Sequence, residues 1–250
     1  MVNNCLRRGL QALLDACFPQ VCLLCGLYSG QPLPLCGECQ AALPRNSRCC
    51  RRCALPLPGG PGTADPNLLC GNCLQQPPPW DSCTAPLCYD PQVALLLSRW
   101  KYAPDPRLGH LMTQLWLRLG PRELPPVDLV LPVPLHWTRW LRRGFNQAEQ
   151  LAAGLQGQHP ALAGARLDPA RVSRRRAPAQ ASLDADARAR NLRGAFTIRR
   201  PCANLRVAIV DDVLTTGTTA ARLARCLQEA GAARMHIWCL ARTPTPPART

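Results

Sequence analysis

No apolar run in this 250-residue chain approaches the roughly 20 residues needed to cross a bilayer, and none near the N-terminus has the character of a signal peptide. Both absences argue against a membrane span, and a soluble, cytoplasmic protein is expected. Histidine is scarce. The four present, His110, His136, His159 and His236, include no pair at a metal-ligand spacing, so each is read as structural. Lysine is almost missing: of thirty basic residues only Lys101 is a lysine. The remaining guanidinium groups can stack on exposed bases as well as pair with anions. With fifteen acids, the formal net charge is +15, which argues for a polyanionic partner. Arginine enriched together with alanine and proline makes that bulk charge a weak guide to DNA binding.

Cysteine, by contrast, is abundant and uneven. Thirteen of the sixteen fall before residue 89. Cys22/Cys25 and Cys36/Cys39 make one set of two Cys-x-x-Cys knuckles, and Cys50/Cys53 and Cys70/Cys73 make another. Such a turn presents both sulfurs on one side, and two turns complete a closed tetrahedral shell of thiolates with no open position for water. The economical reading is a double zinc ribbon with two structural Zn²⁺ sites, which fold the chain and do not catalyse. Residues 18–80 hold little apolar material and many prolines, so metal binding would supply much of their folding free energy. An interleaved pairing of Cys22/Cys25 with Cys50/Cys53, Cys49 in place of Cys50, and disulfides are the competing readings. Eight thiolates on two Zn²⁺ would lower the net charge by four, to about +11.

Residues 207–219, Val-Ala-Ile-Val-Asp-Asp-Val-Leu-Thr-Thr-Gly-Thr-Thr, carry the sharpest chemical signal. The apolar run at 207–210 has the pattern of a buried strand, and helical periodicity begins at 219. The intervening loop therefore lies at a helix N-terminus, where free N–H groups and the helix dipole bind an anion without lysine. Thr215, Thr216, Gly217, Thr218 and Thr219 build that turn. Asp211 and Asp212 accept hydrogen bonds only, so they suit sugar hydroxyls or a divalent cation and not a phosphate. A sugar phosphate satisfies both halves. The Gly-Lys-Ser/Thr ending of a P-loop is missing.

Elsewhere the patterning predicts an amphipathic helix at 6–17, strands at 83–89, 127–133 and 235–240, and helices at 93–100, 108–119, 145–155 and 219–230, the last capped by Gly231. This is a βαβ succession with a mainly parallel sheet, whose ligands bind beyond the strand C-termini. The proline run at 77–79 divides the chain. The expected organisation is an N-terminal helix at 1–18, a double zinc ribbon at 19–79, an α/β domain at 80–243 and a disordered tail at 244–250. A second connection, 134–147, is rich in arginine and tryptophan and is read as a loop facing the same ligand. Arg139, Arg142 and Arg143 suit bidentate anion binding there, and Gly144 permits close backbone approach. Basic positions gather at 139–143, 171–176 and 188–200, interleaved with Trp137, Trp140 and Phe196, a pattern suited to single-stranded nucleic acid.

The 207–219 segment closely resembles the phosphoribosyl pyrophosphate (PRPP) loop of type I phosphoribosyltransferases. That resemblance implies that Asp211 and Asp212 hold the ribose 2′- and 3′-hydroxyls and that the threonine turn wraps the 5′-phosphate. Residues 134–147 fall at the pyrophosphate-loop position. With the two ribbons, Leu-Pro-Val-Pro at 131–134 and Arg-Arg-Gly-Phe-Asn-Gln at 142–147, nearly the whole chain resembles the ComF/GntX family. Gln180, Arg188 and Asn191 match the family's flap, although Ala177 stands where a threonine is common. Membership implies a role in natural competence and DNA uptake, with single-stranded DNA and other competence proteins as partners. It also implies PRPP binding with Mg²⁺ and displacement at the ribose anomeric carbon. The acid that 6-oxopurine enzymes of the fold carry is replaced by Thr215, so no catalytic residue is assigned. Three functions compete: a phosphoribosyltransferase of unknown acceptor, a non-catalytic PRPP-binding module, and a zinc-ribbon adaptor for single-stranded DNA or a protein partner.

Overall fold

The structure of the protein, a computed structural model, describes residues 20–59, 67–103, 105–174 and 196–244. The expected helix at 6–17, the flap residues Gln180, Arg188 and Asn191, and residues 245–250 lie outside the described residues. Two short helices, α1 (Gly37–Ala41) and α2 (Gly71–Gln75), each start at the second knuckle of a cysteine set. Cys36 caps α1 by accepting the Cys39 N–H on its sulfur at 3.4 Å. Then come β1 (Ser82–Thr84), β2 (Leu87–Cys88), α3 (Pro91–Tyr102), α4 (Pro106–Leu119), β3 (Leu129–Pro132), α5 (Trp137–Arg143) and α6 (Gln147–Gln156). They are followed by β4 (Arg166–Leu167), β5 (Val172–Arg174), β6 (Phe196–Ile198), β7 (Arg206–Leu214), α7 (Thr218–Glu229) and β8 (Arg234–Arg242).

The main sheet has the order β1-β8-β7-β3-β4, with β2 also pairing β8, and every pairing is parallel. β5 and β6 form a separate antiparallel pair. Because β7 is covered on both faces, it reads as a continuous apolar run. Val207 and Ile209 pack with Leu223 and Leu227 of α7 on one side. Ala208 and Val210 pack with Leu111 and Leu115 of α4 and Leu151 and Leu155 of α6 on the other. Asp90 and Asp105 cap α3 and α4, each followed by a proline at the first helical turn, where a missing N–H costs nothing. The parallel sheet flanked by helices, with a Cys-rich region before it, is the fold class expected.

The observed elements differ from the patterning in three places. The strand expected at 83–89 divides into β1 and β2 around Pro86, which has no N–H to give a ladder. The connection at 134–147 contains the helix α5 instead of being loop throughout. The strand expected at 207–210 continues to Leu214, because β8 pairs with it as far as Val213↔Ala241 and Leu214↔Arg242. Asp211 and Asp212 therefore belong to the strand and not to the loop after it.

Each cysteine set docks on a different core. Leu33, Leu35 and Leu43 join the cluster around α3 and α4, where Arg99 donates to the Leu23 carbonyl at 2.7 Å. Ala54 and Trp80 join the α7 side, and Trp80 Nε1 donates to the Arg52 carbonyl at 2.6 Å. Arg242, at the end of β8, fastens the second set to the end of β7. Its Nε donates to the Cys53 carbonyl at 2.9 Å, and its Nη1 reaches the carbonyls of Leu214 at 3.0 Å and Thr243 at 2.7 Å, and also that of Thr215.

Replacing Arg242 by alanine strands those carbonyls. Arg242→Ala is expected to lower unfolding stability by roughly 3 kcal/mol in urea titrations. It should also speed amide exchange selectively at Thr215 and Thr216.

Candidate functional site

The two acids at the C-terminal end of β7 stand in unequal surroundings. Asp211 Oδ1 accepts the Asp212 N–H at 2.9 Å, and Asp212 Oδ1 accepts the Val213 N–H at 2.8 Å. Asp212 Oδ2 lies 2.6 Å from Lys101 Nζ, at the end of α3. Burial, and next the charge of Asp212, hold the Asp211 carboxyl well above the usual carboxylate range. Both acids line a cleft of about 220 Å³ whose other walls include Lys101, Arg143, Gln147 and Arg174, together with Thr215 and Thr219.

Gly217 adopts the left-handed conformation at φ 77° and precedes α7 without a side-chain cap. Of the first-turn N–H groups of α7, that of Thr218 meets Thr216 Oγ1 at 3.4 Å, and the next two have no intrahelical partner, as at any helix start. Thr216 and Thr218 share a hydroxyl contact of 2.9 Å. Thr216, Gly217 and Thr218 also border a second, wider groove of about 910 Å³, with Trp80 and Arg222 on its sides. A Cβ on Gly217 would stand 3.2 Å from the Trp80 ring, so the chain just after the second cysteine set lies close against this turn. The five threonine-loop residues consequently divide between two openings instead of facing one.

Across the cleft, α5 starts at His136, whose Nδ1 accepts the Thr138 N–H at 3.4 Å. It ends at Gly144, which is left-handed at φ 75°. A Cβ at Gly144 would meet nothing within 4 Å, so the backbone angle and not close approach explains the glycine. Arg139 is in α5, and its side chain lies outside the described ones. The guanidinium carbons of Arg142 and Arg143 lie 5.4 and 5.3 Å from the centre of the Tyr102 ring. Arg143 also donates to Gln147 Oε1 at 3.2 Å. Gln147 is 2% exposed, and its Nε2 has no hydrogen-bond partner; Arg143 Nε is likewise buried and unpartnered. Asn146 caps α6 and donates to the Val133 carbonyl at 3.0 Å, which fixes the end of β3 against the start of α6.

The geometry adds Lys101 to the cleft and brings there Gln147 of the 142–147 motif and Arg174 of the 171–176 basic cluster. Gln147 was visible as part of a motif. Lys101 had no local signal, because its partner is distant in the chain. Other predicted positions are not brought to the cleft. Arg171 is buried against Asp168 at 3.2 Å, and Arg200 meets the same carboxylate at 2.9 Å. Phe196 is buried, with the Arg174 guanidinium 5.8 Å from its ring centre, so its face is not open to a base. Of the histidines, His159 packs edge-on to Trp116 and His236 meets Ser82 Oγ at 2.8 Å, both structural positions.

The cysteines gather as Cys22, Cys25, Cys36 and Cys39, and as Cys50, Cys53, Cys70 and Cys73, each group with its sulfurs within 4.8 Å of one another. This removes the interleaved pairing and leaves Cys49 outside. None of the fourteen described cysteines is in a disulfide. The Cys25–Cys36 and Cys53–Cys70 sulfurs are 3.8 and 3.6 Å apart. A tetrahedral shell with Zn–S bonds of about 2.3 Å spaces its sulfurs about 3.8 Å apart. Burial opposes ionisation of Cys22, but backbone N–H groups of Cys25 and Cys36 outweigh it and bring the thiol down to about 6. Cys50 is brought to about 7 in the same way, burial being offset by the N–H groups of Cys70 and Cys53. Cys39 is pushed up to about 12, first by its contact with Cys36. Such thiols cannot all ionise together without a cation among them, and both groups fit zinc ribbon sites.

Residues 13–74 match the double zinc ribbon domain family. The chain is 36% identical over 236 residues to the DNA utilization protein YhgH of Salmonella typhi, covering 90% of this chain and 98% of that one. It is 35% identical over 239 residues to the protein of the same name from Escherichia coli K12, with coverage of 90% and 98%. Competence protein F of Haemophilus influenzae is 32% identical over 188 residues, 69% of this chain and 78% of that one. Two solved structures are also similar. Glutamine PRPP amidotransferase from B. subtilis, complexed with ADP and GMP, has a TM-score of 0.38 at 20% identity, over 56% of this chain and 30% of its own. Purine phosphoribosyltransferase from Pyrococcus horikoshii Ot3 has a TM-score of 0.28 at 18% identity, over 61% and 79%.

Two outcomes are expected. Metal analysis of the purified chain should return two zinc ions, and a Cys50→Ser, Cys53→Ser variant one. Folding raises the pKa of Asp211, so its carboxyl costs nothing below the unfolded value of about 4 and costs more as pH rises through the folded value. Asp211→Asn should therefore unfold at a higher temperature than wild type at neutral pH, with the gap closing on acidification. A gap independent of pH in thermal melts would contradict this assignment.

Proposed function

The chain belongs to the ComF/GntX family, that of DNA utilization protein YhgH and competence protein F, and from that membership we propose that it binds PRPP in DNA uptake or utilization in the cytoplasm. Asp211 and Asp212 take the ribose 2′- and 3′-hydroxyls. Thr215, Thr216, Gly217, Thr218 and Thr219 take the 5′-phosphate at the start of α7. Arg139, Arg142, Arg143 and the Gly144 turn stand on the diphosphate side, and Gln180, Arg188 and Asn191 supply the flap. Zinc in residues 19–79 supports the α/β domain at 80–243, and residues 1–18 and 244–250 flank the two. Mg²⁺ bound with PRPP supplies positive charge to the diphosphate oxygens.

One observation carries the reading: the carboxyl groups of Asp211 and Asp212, with Thr215 and Thr219 of the threonine turn, border the same cleft as the donors of Arg143 and Gln147. Hydroxyl donors suit the first wall and anionic oxygens the second, and a sugar phosphate has both. A transfer reaction in this cleft would be displacement at the anomeric carbon, in which the residues position the sugar and stabilise the departing diphosphate. The acceptor is not named by these residues.

A second reading, a single-stranded DNA or partner adaptor without catalysis, is favoured by one different feature. Trp137, Trp140 and Leu141 on α5 are 44, 54 and 66% exposed beside Arg142, a surface suited to stacking on bases. Binding of that kind would be indifferent to the two acids.

Calorimetric titration with PRPP and Mg²⁺ separates the readings. Saturable binding by the wild type is expected. A variant carrying Asp211→Asn and Asp212→Asn should bind about 100-fold more weakly, the loss of two charge-assisted hydrogen bonds. Absence of wild-type binding would overturn the PRPP reading and leave the adaptor.

A further inference from the structure

We propose that Lys101 is a binding residue of this cleft, which bridges Asp212 to the diphosphate of the sugar ligand. The inference rests on the sugar-phosphate reading above and adds to it a residue from a third element. Lys101 and Tyr102 are consecutive at the end of α3, and they touch the two halves of the site. Lys101 Nζ meets Asp212 at 2.6 Å, on the ribose side. The Tyr102 ring carries the guanidinium groups of Arg142 and Arg143, on the diphosphate side. The helix end therefore spans the cleft and sets one wall against the other.

The chemistry of the side chain fits a bridge. An ammonium has three donors on a flexible stem, whereas a guanidinium presents a flat fork. With one N–H engaged by Asp212, Lys101 keeps two donors for a second anion without leaving the first. Its side chain is 23% exposed and that of Asp212 is 19%, so the pair is open toward the cleft and not sealed in the core. In a chain whose other basic residues are all arginine, the single lysine stands at this point.

The neighbouring donors give the direction in which the remaining N–H groups find a partner. Gln147 Nε2 is buried without a hydrogen-bond partner and lines the same cleft, and Arg143 Nε is buried and unpartnered beside it. Lys101, Arg143 and Gln147 thus form a donor wall contributed by the end of α3 and by the junction of α5 and α6. An oxygen-rich anion can satisfy all three. A ribose ring with its 5′-phosphate at the threonine turn leaves this wall unmet, and a diphosphate on the anomeric carbon reaches it.

The test compares two ligands that differ in the diphosphate alone. PRPP and ribose 5-phosphate, each with Mg²⁺, are titrated calorimetrically into the full-length wild type, Lys101→Met and Lys101→Arg. In the methionine variant PRPP affinity is expected to fall about ten-fold or more, while ribose 5-phosphate affinity stays within about two-fold. The arginine variant, which keeps the charge, should recover part of the loss. Equal weakening of both ligands would mean that Lys101 acts only by holding Asp212, and unchanged PRPP affinity would remove it from the site; either result overturns the proposal. A wild type that binds neither ligand overturns the sugar-phosphate reading itself, and the bridge with it.

Discussion

The parallel ladder between β7 and β8 is the constraint on which the other features rest. It runs from Arg206↔Arg234 to Leu214↔Arg242 and outlasts the apolar segment that the two-faced core requires. The last pairs hold Asp211 opposite Cys239 and Val213 opposite Ala241, so the acids sit on a strand instead of a loop. The same register brings Arg242 level with Leu214. Its guanidinium can then reach the Cys53 carbonyl on one side and the threonine turn on the other. A metal-binding region of little apolar content is thereby joined to the turn at the start of α7 by a charged group that satisfies main-chain acceptors at both ends. Trp80 makes a second joint, with its indole N–H on the Arg52 carbonyl and its ring against Gly217.

Around that strand the polar groups of the cleft are left incompletely satisfied on both walls. Asp211 is held above the usual carboxylate range by burial and by Asp212, while Lys101 pairs with only one of the two acids. Opposite them, Arg143 Nε and Gln147 Nε2 have no partner. An unmet buried donor or acceptor costs on the order of 1–3 kcal/mol, so a fold does not assemble several around one small space for stability. Their proximity makes the cost functional: a ligand with hydroxyl donors at one end and anionic oxygens at the other removes it on both walls.

Much of this arrangement is legible in the sequence alone. The two Cys-x-x-Cys sets declare themselves by spacing, because a knuckle is a local structure, and both groups assemble within their own set. The 207–210 strand and the helix after it are likewise local patterns. The helix α5 was not legible: its Trp-Thr-Arg-Trp-Leu-Arg-Arg sequence has no buried stripe, since Trp137, Trp140 and Leu141 are all exposed. Its evidence is instead a histidine cap and a left-handed glycine, which read as loop residues. The extension of β7 through two acids depends on β8, and strand pairing is not written in either strand alone. Lys101 depends on α3 ending beside β7, a long-range fact that no motif carries.

The same contrast applies to charge. A formal +15 describes composition, whereas binding depends on which cations are already neutralised. Asp168 takes both Arg171 and Arg200, Asp128 takes Arg206, Asp81 takes Arg234, and Asp105 takes Arg107. These arginines are spread around the sheet and contribute little net field at a distance. Among the described residues no carboxylate pairs with Arg142 or Arg143, whose charge rests on the Tyr102 ring. Arg142 Nη2 donates to the Tyr102 hydroxyl at 3.2 Å and Arg143 Nη1 to Gln147 Oε1 at 3.2 Å, neutral acceptors that leave the positive charges of α5 without a counter-charge. Part of the charge left without a carboxylate therefore stands beside the cleft, on the helix that also carries the exposed tryptophans. Position, and not the total, decides which of these cations can meet a ligand in the cleft.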